Sequence, residues 1–300
     1  MGFKIYFEKF GSPKVLEEGD GGLPEPAAGE VQVQNRAIGV NPVDWKVVAG
    51  YLQDWAPVDF PAVPGNESAG VVVAVGKYVT DFAVGDQVIW SGFTGGYQQS
   101  FNVPASQLTS KPASVDFEQA ALLPVAAGTA YSALRQIGVG EGDTVLVHAA
   151  AGGVGSAAVQ IAKALGAKVI GTASEANHEY LRSLGAEPVA YGSGLVDRIR
   201  AVGEITASVD AVGGAESAAA TAELLADRSR AVTAVADEHT AAAGIAGVER
   251  APDYVESTAK LAAEGKLSFV IAERIPLSDA AKALEISYGG HVRGKLVLVP

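Results

Sequence analysis

The sequence predicts a two-domain α/β chain: a β-rich domain followed by a doubly wound, parallel-sheet domain. Three observations carry this. The stretch Thr144 to Ser174, TVLVHAAAGGVGSAAVQIAKALGAKVIGTAS, reads as strand, glycine turn, helix and second strand. About 140 residues precede it, enough for a separate domain. Those residues carry short apolar or alternating runs broken by turn residues, whereas strands and helices alternate after the glycine turn.

In chain order, Val31 to Ala37, Ser68 to Val75 and Gln87 to Ser91 are read as strands. Turns at Gly19-Asp20-Gly21-Gly22, Pro64-Gly65-Asn66 and Val84-Gly85-Asp86 separate them, and a partly closed antiparallel barrel would bury their apolar faces. Phe117 to Ile137 looks helical. Thr144 to His148 is β-branched and apolar, as suits a strand buried on both faces of a parallel sheet. At the turn that follows, Gly152 and Gly153 let the backbone bend and approach phosphate oxygens, and Gly155 lets the next helix lie against the strand. Ala158, Ile161, Ala162 and Leu165 share one face of that helix, which Gly166 ends before a strand at Lys168 to Thr172. The free N–H groups and positive dipole end at its start form an anion site, so a dinucleotide pyrophosphate is expected there. Further strands are read at Pro188 to Tyr191, Ala207 to Val212 and Arg230 to Val235, with a helix at Ala215 to Leu225. Asp253 to Glu264 as a helix and Gly294 to Val299 as a strand are expected to return to the first domain. The domains are therefore drawn at 1–116 with 253–300, and at 117–252.

Composition narrows the function. The formal net charge of −12 and the lack of a Lys/Arg cluster disfavour nucleic acid and anionic membranes as partners. No cysteine is present, which removes disulfides, thiolate catalysis and cysteine-bound metals. No segment is apolar enough to span a bilayer, and the N-terminal MGFKIYFEKFG lacks the apolar core of a signal peptide, so a cytoplasmic protein is expected.

Several separated motifs, in order, resemble one family. They are Asn41-Pro42-Val43-Asp44-Trp45-Lys46, Pro64-Gly65-Asn66-Glu67-Ser68-Ala69-Gly70, Val84-Gly85-Asp86-Gln87-Val88, Ala127-Gly128-Thr129-Ala130-Tyr131, the loop Ala149 to Gly155, and Val292-Arg293-Gly294-Lys295. Together they resemble the medium-chain dehydrogenase/reductase superfamily, in its zinc-free quinone oxidoreductase (zeta-crystallin-like) branch. The resemblance implies a GroES-like β-barrel catalytic domain, a Rossmann domain, a quinone or α,β-unsaturated carbonyl substrate, and a homodimer. Zinc members of the superfamily have Cys near the position of Asp44 and Gly-His-Glu where this chain has Gly65-Asn66-Glu67. Both soft ligands are missing, so no metal is expected; Asp44 and Glu67 read as a structural hydrogen-bonding pair. An enoyl-thioester reductase on the same scaffold and a non-catalytic NADPH-binding regulator remain as alternatives.

The resemblance also nominates site residues. Asn41 would approach nicotinamide and substrate and donate to a developing oxyanion, or be only a turn residue before Pro42. Lys46 would hold the cofactor ribose or bring positive charge beside the acceptor, or be a surface lysine. Tyr51 would line the substrate site and donate a proton, or pack. Thr129 would contact the nicotinamide carboxamide, or simply start a helix. Trp45, Trp55, Phe60 and Phe93 could shape an apolar pocket, Phe93 best of them. Cofactor contacts are further assigned to Ala151, Gly152, Gly153, Val154 and Gly155 in the loop, to Thr172, Ala173, Ser174 and His178 after the second strand, and to Val212 and Val235. Ala173 stands where NAD-specific folds place an acid on the ribose 2′-OH, so its absence favours NADP(H) over NAD(H). Ser174 could donate to a 2′-phosphate, and Arg293 and Lys295 could supply charge to it. His148, His178, His239 and His291 show no metal spacing.

Overall fold

Strand Glu30–Val40 organises the first of two units in the computed structural model, which describes residues 2–54 and 56–300. Its buried residues alternate through Val31 and Val33 and then run on through Ala37 to Val40, so its second half is covered more fully than its first. It pairs antiparallel with Glu67–Val75 over most of its length, with Ser100–Pro104 along its first half and with Lys295–Val299 along its end. The sheet order is Ile271–Pro276, Lys295–Val299, Glu30–Val40, Glu67–Val75, Gln87–Ser91, Leu108–Ser110, with Ser100–Pro104 paired to the long strand off that path. Two apolar clusters fill this unit. One gathers Val31, Val33, Val72, Val88, Trp90 and Phe101; the other joins Phe7, Ile38, Val48, Tyr97, Ile275 and Leu284.

The second unit holds a six-stranded, fully parallel sheet. Its order is Glu187–Ala190, Lys168–Ala173, Thr144–His148, Ala207–Asp210, Ala231–Thr233, Ala246–Gly247. That is third, second, first, fourth, fifth, sixth in chain order, with the reversal beside Thr144–His148; this is the doubly wound arrangement that takes ligands at the carboxyl ends of its strands. Leu146, Ile170, Ile199 and Val189 pack between the sheet and its helices.

The units are Met1–Val125 with Val270–Pro300, and Ala126–Phe269. Both limits differ from those drawn on the sequence. Helix Phe117–Ala121 packs on the strands of the first unit, and Val125 N–H donates to Glu67 Oε2 at 2.7 Å. Helix Tyr254–Ala263 does not return to the first unit. It packs on helix Gly128–Gln136: Tyr131 Oη donates to Asp253 at 2.9 Å, and Arg135 pairs with the same carboxylate at 2.6 Å. An amphipathic helix announces that one face is buried, but its own sequence does not say by which sheet. The return comes later, through Ile271–Pro276 and helix Ala280–Gly289, elements that the sequence analysis did not place. Among the described residues no helix is long and apolar enough to cross a membrane.

Candidate functional site

In the first unit, the Asn41-Pro42 motif starts a helix, Pro42–Val48. Proline suits that first position because its missing N–H would be unpaired there anyway. Asp44 reaches back to accept from Asn41 N–H at 2.8 Å and also accepts from Tyr97 Oη at 3.0 Å. Burial pushes the Asp44 carboxyl up to about 7, against the lowering effect of these donors. Glu67 is fully buried nearby: Oε1 accepts from Asn41 Nδ2 at 2.7 Å and Lys295 Nζ at 3.2 Å, and Oε2 from Val125 N–H. Two glycines make this close approach possible. A Cβ on Gly39 would lie 2.1 Å from Glu67 Oε1, and one on Gly65, at φ +93°, would lie 2.2 Å from the Tyr97 ring.

This geometry corrects two assignments. Both Nδ2 hydrogens of Asn41 are taken, by Glu67 and by Asn66 Oδ1 at 3.3 Å, so its amide does not donate to a substrate oxygen. A buried carboxylate needs donors, and Asn41 is one of them. Lys295 is not a surface cation for a 2′-phosphate. It is buried, and Nζ donates to Val40 O at 2.9 Å, to Asn41 Oδ1 and to Glu67. Arg293 is exposed.

The same short helix presents the other residues. Tyr51 just beyond it is 69% exposed, its ring edge-on to Trp45 with centroids 5.8 Å apart, and Tyr288 stands against Trp45 at 5.0 Å. Lys46 Nζ lies 5.6 Å from the Trp45 ring centre. Phe93 is half-buried and packs on the cluster around Phe7 and Tyr97, and Phe60 stacks edge-on against Phe7 and Phe10. Trp55 lies outside the described residues.

In the second unit, Ala149 takes a left-handed conformation at φ +52° as the chain leaves Thr144–His148. Its N–H donates to Thr172 Oγ1 at 3.1 Å, and Ala150 N–H to Thr172 O at 2.9 Å. Thr172 therefore holds the loop from beneath by accepting from Ala149 N–H, which leaves its own O–H to donate. Gly152 caps helix Gly153–Ala164 without a side chain, leaving the first N–H groups of Gly153, Val154 and Gly155 for an anion, while Ala151 is buried beside them. Past the second strand Ala173 is buried; Ser174 Oγ accepts from Asn177 Nδ2 at 3.2 Å, which leaves its O–H to donate. His178 Nε2 is buried with no partner among the described residues. Thr129 sits in the first turn of Gly128–Gln136 but caps nothing, because the chain is already helical through the widened turn Leu123–Ala127. His148 is held neutral by burial and bonds Thr221 at 3.2 Å.

Two aspartates escaped the sequence analysis. Asp210, ending the central strand, accepts from Val212 N–H, Gly213 N–H and Ser217 Oγ; Asp237 accepts from Gly214 N–H at 2.6 Å and from the start of helix Glu238–Ala242. They shape the loop that exposes Val212, with Val235 half-buried beside Gly213. For Asp210, a strand end shortly before a glycine pair was the available signal; Tyr97 had none at short range, and Asn66 is legible only as the residue standing where zinc members have His.

Residues 27–113 match the family described as the alcohol dehydrogenase GroES-like domain, and 153–262 that described as zinc-binding dehydrogenase. A quinone oxidoreductase of Salmonella typhimurium is 42% identical over 59% of the chain and 54% of its own length. The chloroplastic quinone-oxidoreductase QR1 of Triphysaria versicolor is 31% identical over 93% of the chain and 92% of its own length. The chain belongs to the medium-chain dehydrogenase/reductase superfamily, in its quinone oxidoreductase branch. The match spans about half the length of the first curated relatives. The solved Escherichia coli quinone oxidoreductase complexed with NADPH superposes with a TM-score of 0.86 at 29% identity, covering 99% of this chain and 100% of that one. The GroES-like and Rossmann parts of the family correspond to the first and second units respectively.

Proposed function

We propose that the chain is an NADP(H)-dependent oxidoreductase that reduces a quinone or an α,β-unsaturated carbonyl without zinc, acting as a cytoplasmic homodimer. The observation that carries the zinc-independent reading is the donor set Asp44, Asn66, Glu67. It contains neither Cys nor His, its oxygens are engaged by Asn41, Tyr97 and Lys295, and an ammonium already stands at the carboxylate. These residues do not fit a catalytic zinc.

Without a metal-held alkoxide, the suited acceptor is conjugated. Bound nicotinamide supplies the hydride; in such an acceptor the charge then moves to a carbonyl oxygen, where hydrogen-bond donors suffice. With Asn41 committed to Glu67, the exposed Tyr51 hydroxyl is the donor to that oxygen and Lys46 the nearby positive charge. The loop Ala149 to Gly155 holds the pyrophosphate, and Ser174 with His178 supports the 2′-phosphate. The outer edge of Ala246–Gly247, last in the sheet, is where a second copy would extend it.

NADPH consumption at 340 nm with a panel of quinones, 2-alkenals, enones and enoyl thioesters tests this reading. Turnover with quinones or enones is expected; confirmed NADPH binding without turnover on any acceptor would sink it in favour of a regulator, and turnover with enoyl thioesters alone would favour the other reductase. Tyr51→Phe is expected to lower kcat roughly 10- to 100-fold with NADPH affinity unchanged, as for loss of one proton donor. Ser174→Asp, made there because Ala173 is buried, is expected to shift the kcat/KM ratio toward NADH, since a carboxylate repels the 2′-phosphate.

A further inference from the structure

Three oxygens converge on Lys295 Nζ: Val40 O, Asn41 Oδ1 and Glu67 Oε1. An ammonium has three hydrogens, so its donor capacity is filled. The side chains of Lys295 and Glu67 are 5% and 0% exposed, so neither charge is shared with solvent. A buried carboxylate without a compensating cation is costly, and the Cys- and His-free donor set around Glu67 is not one that would hold zinc to supply it. We propose that Lys295 is the built-in cation of this site: its ammonium takes the charge-compensating place beside Glu67 and thereby ties the end of strand Glu30–Val40 and the start of helix Pro42–Val48 to the last strand.

Sequence position supports a dedicated role. Lys295 opens strand Lys295–Val299, whose register against Glu30–Val40 places Leu296 opposite Val40, so the lysine is delivered to the point where the long strand becomes the helix carrying Lys46. Asp44 and Tyr97 are the other titratable groups around it; Tyr97 Oη and Asn41 N–H donate to Asp44, and neither side chain bonds the ammonium. Gly39 leaves room for Glu67 to reach the lysine.

A charge-deletion cycle on the whole chain tests this. Lys295→Met and Glu67→Gln should each lower the thermal midpoint by roughly 10 °C or prevent folding, because each strands one buried charge. Lys295→Met with Glu67→Gln keeps the volumes, removes both charges, and should recover at least half of that loss. Recovery supports the proposal even if both single variants fail to fold. Losses that simply add, or a double variant that does not fold, would overturn it, since packing alone predicts additivity. Elemental analysis gives an independent check: one equivalent of zinc in the wild-type protein, with a midpoint that falls on chelation, would also overturn it.

Discussion

Gly155→Ala is expected to abolish dinucleotide binding and to lower stability by several kcal/mol, whereas Gly152→Ala is expected to weaken binding with the fold intact. A Cβ on Gly155 would lie 2.2 Å from Ala149 O, 2.7 Å from Ala150 Cα and 2.8 Å from Ala149 C. All three are backbone atoms of the loop, so nothing flexible can give way; helix Gly153–Ala164 would have to lift off the strand it follows. At Gly152 the nearest atom is Ala149 O at 3.5 Å and φ is −76°, so the protein itself tolerates a methyl group. Any loss there comes from the ligand side, where the backbone must approach a phosphate. Thermal melts beside fluorescence titration with NADPH separate the two. Equal melting losses for both variants would show that the contacts around Gly155 can relax.

Asp44→Asn is expected to change how stability depends on pH. The Asp44 carboxyl is raised from 3.8 to about 7 by burial. The native state therefore holds a proton that the unfolded chain has released between those values. By linkage, the stability this group contributes is fully present below pH 3.8 and is lost as pH rises through about 7, on the order of 4 kcal/mol in all. Other carboxylates act in the opposite sense: donors from Thr240 and Gly214 hold Asp237 low, and Ser257 and Tyr131 hold Asp253 low. The useful quantity is thus the wild-type midpoint minus that of Asp44→Asn. This difference should fall steadily from pH 4.5 to 7.5 and then flatten; parallel profiles would place the Asp44 titration elsewhere.

Local physics made much of the fold readable. Strands Thr144–His148 and Gln87–Ser91 run as their apolar patterning predicts, and the glycines between Ala149 and Gly155 mark a turn under a helix because few residues allow such closeness. The doubly wound unit follows from strand and helix alternation. Helix Tyr254–Ala263 was legible as a helix but assigned to the wrong unit, since burial by Tyr131 and Arg135 is a long-range choice. Thr172 ends the second strand, but the support its Oγ1 gives the loop through Ala149 N–H is a contact that its own neighbours in sequence do not show.

By itself the sequence determined the two kinds of sheet and the phosphate loop, written in periodicity and in glycine spacing over fewer than about 30 residues, while the family resemblance lay in separated motifs from Asn41 to Lys295. It also determined that no thiolate ligand could be present. Only the tertiary structure decided what Asn41, Asp44, Glu67 and Lys295 do. Their roles come from charges and donors brought together across more than 200 residues of chain, as in the Lys295 to Glu67 separation of 228. In water each would be satisfied separately; buried together, they must satisfy one another, and that requirement turns a lysine read as charge for a 2′-phosphate into an internal cation.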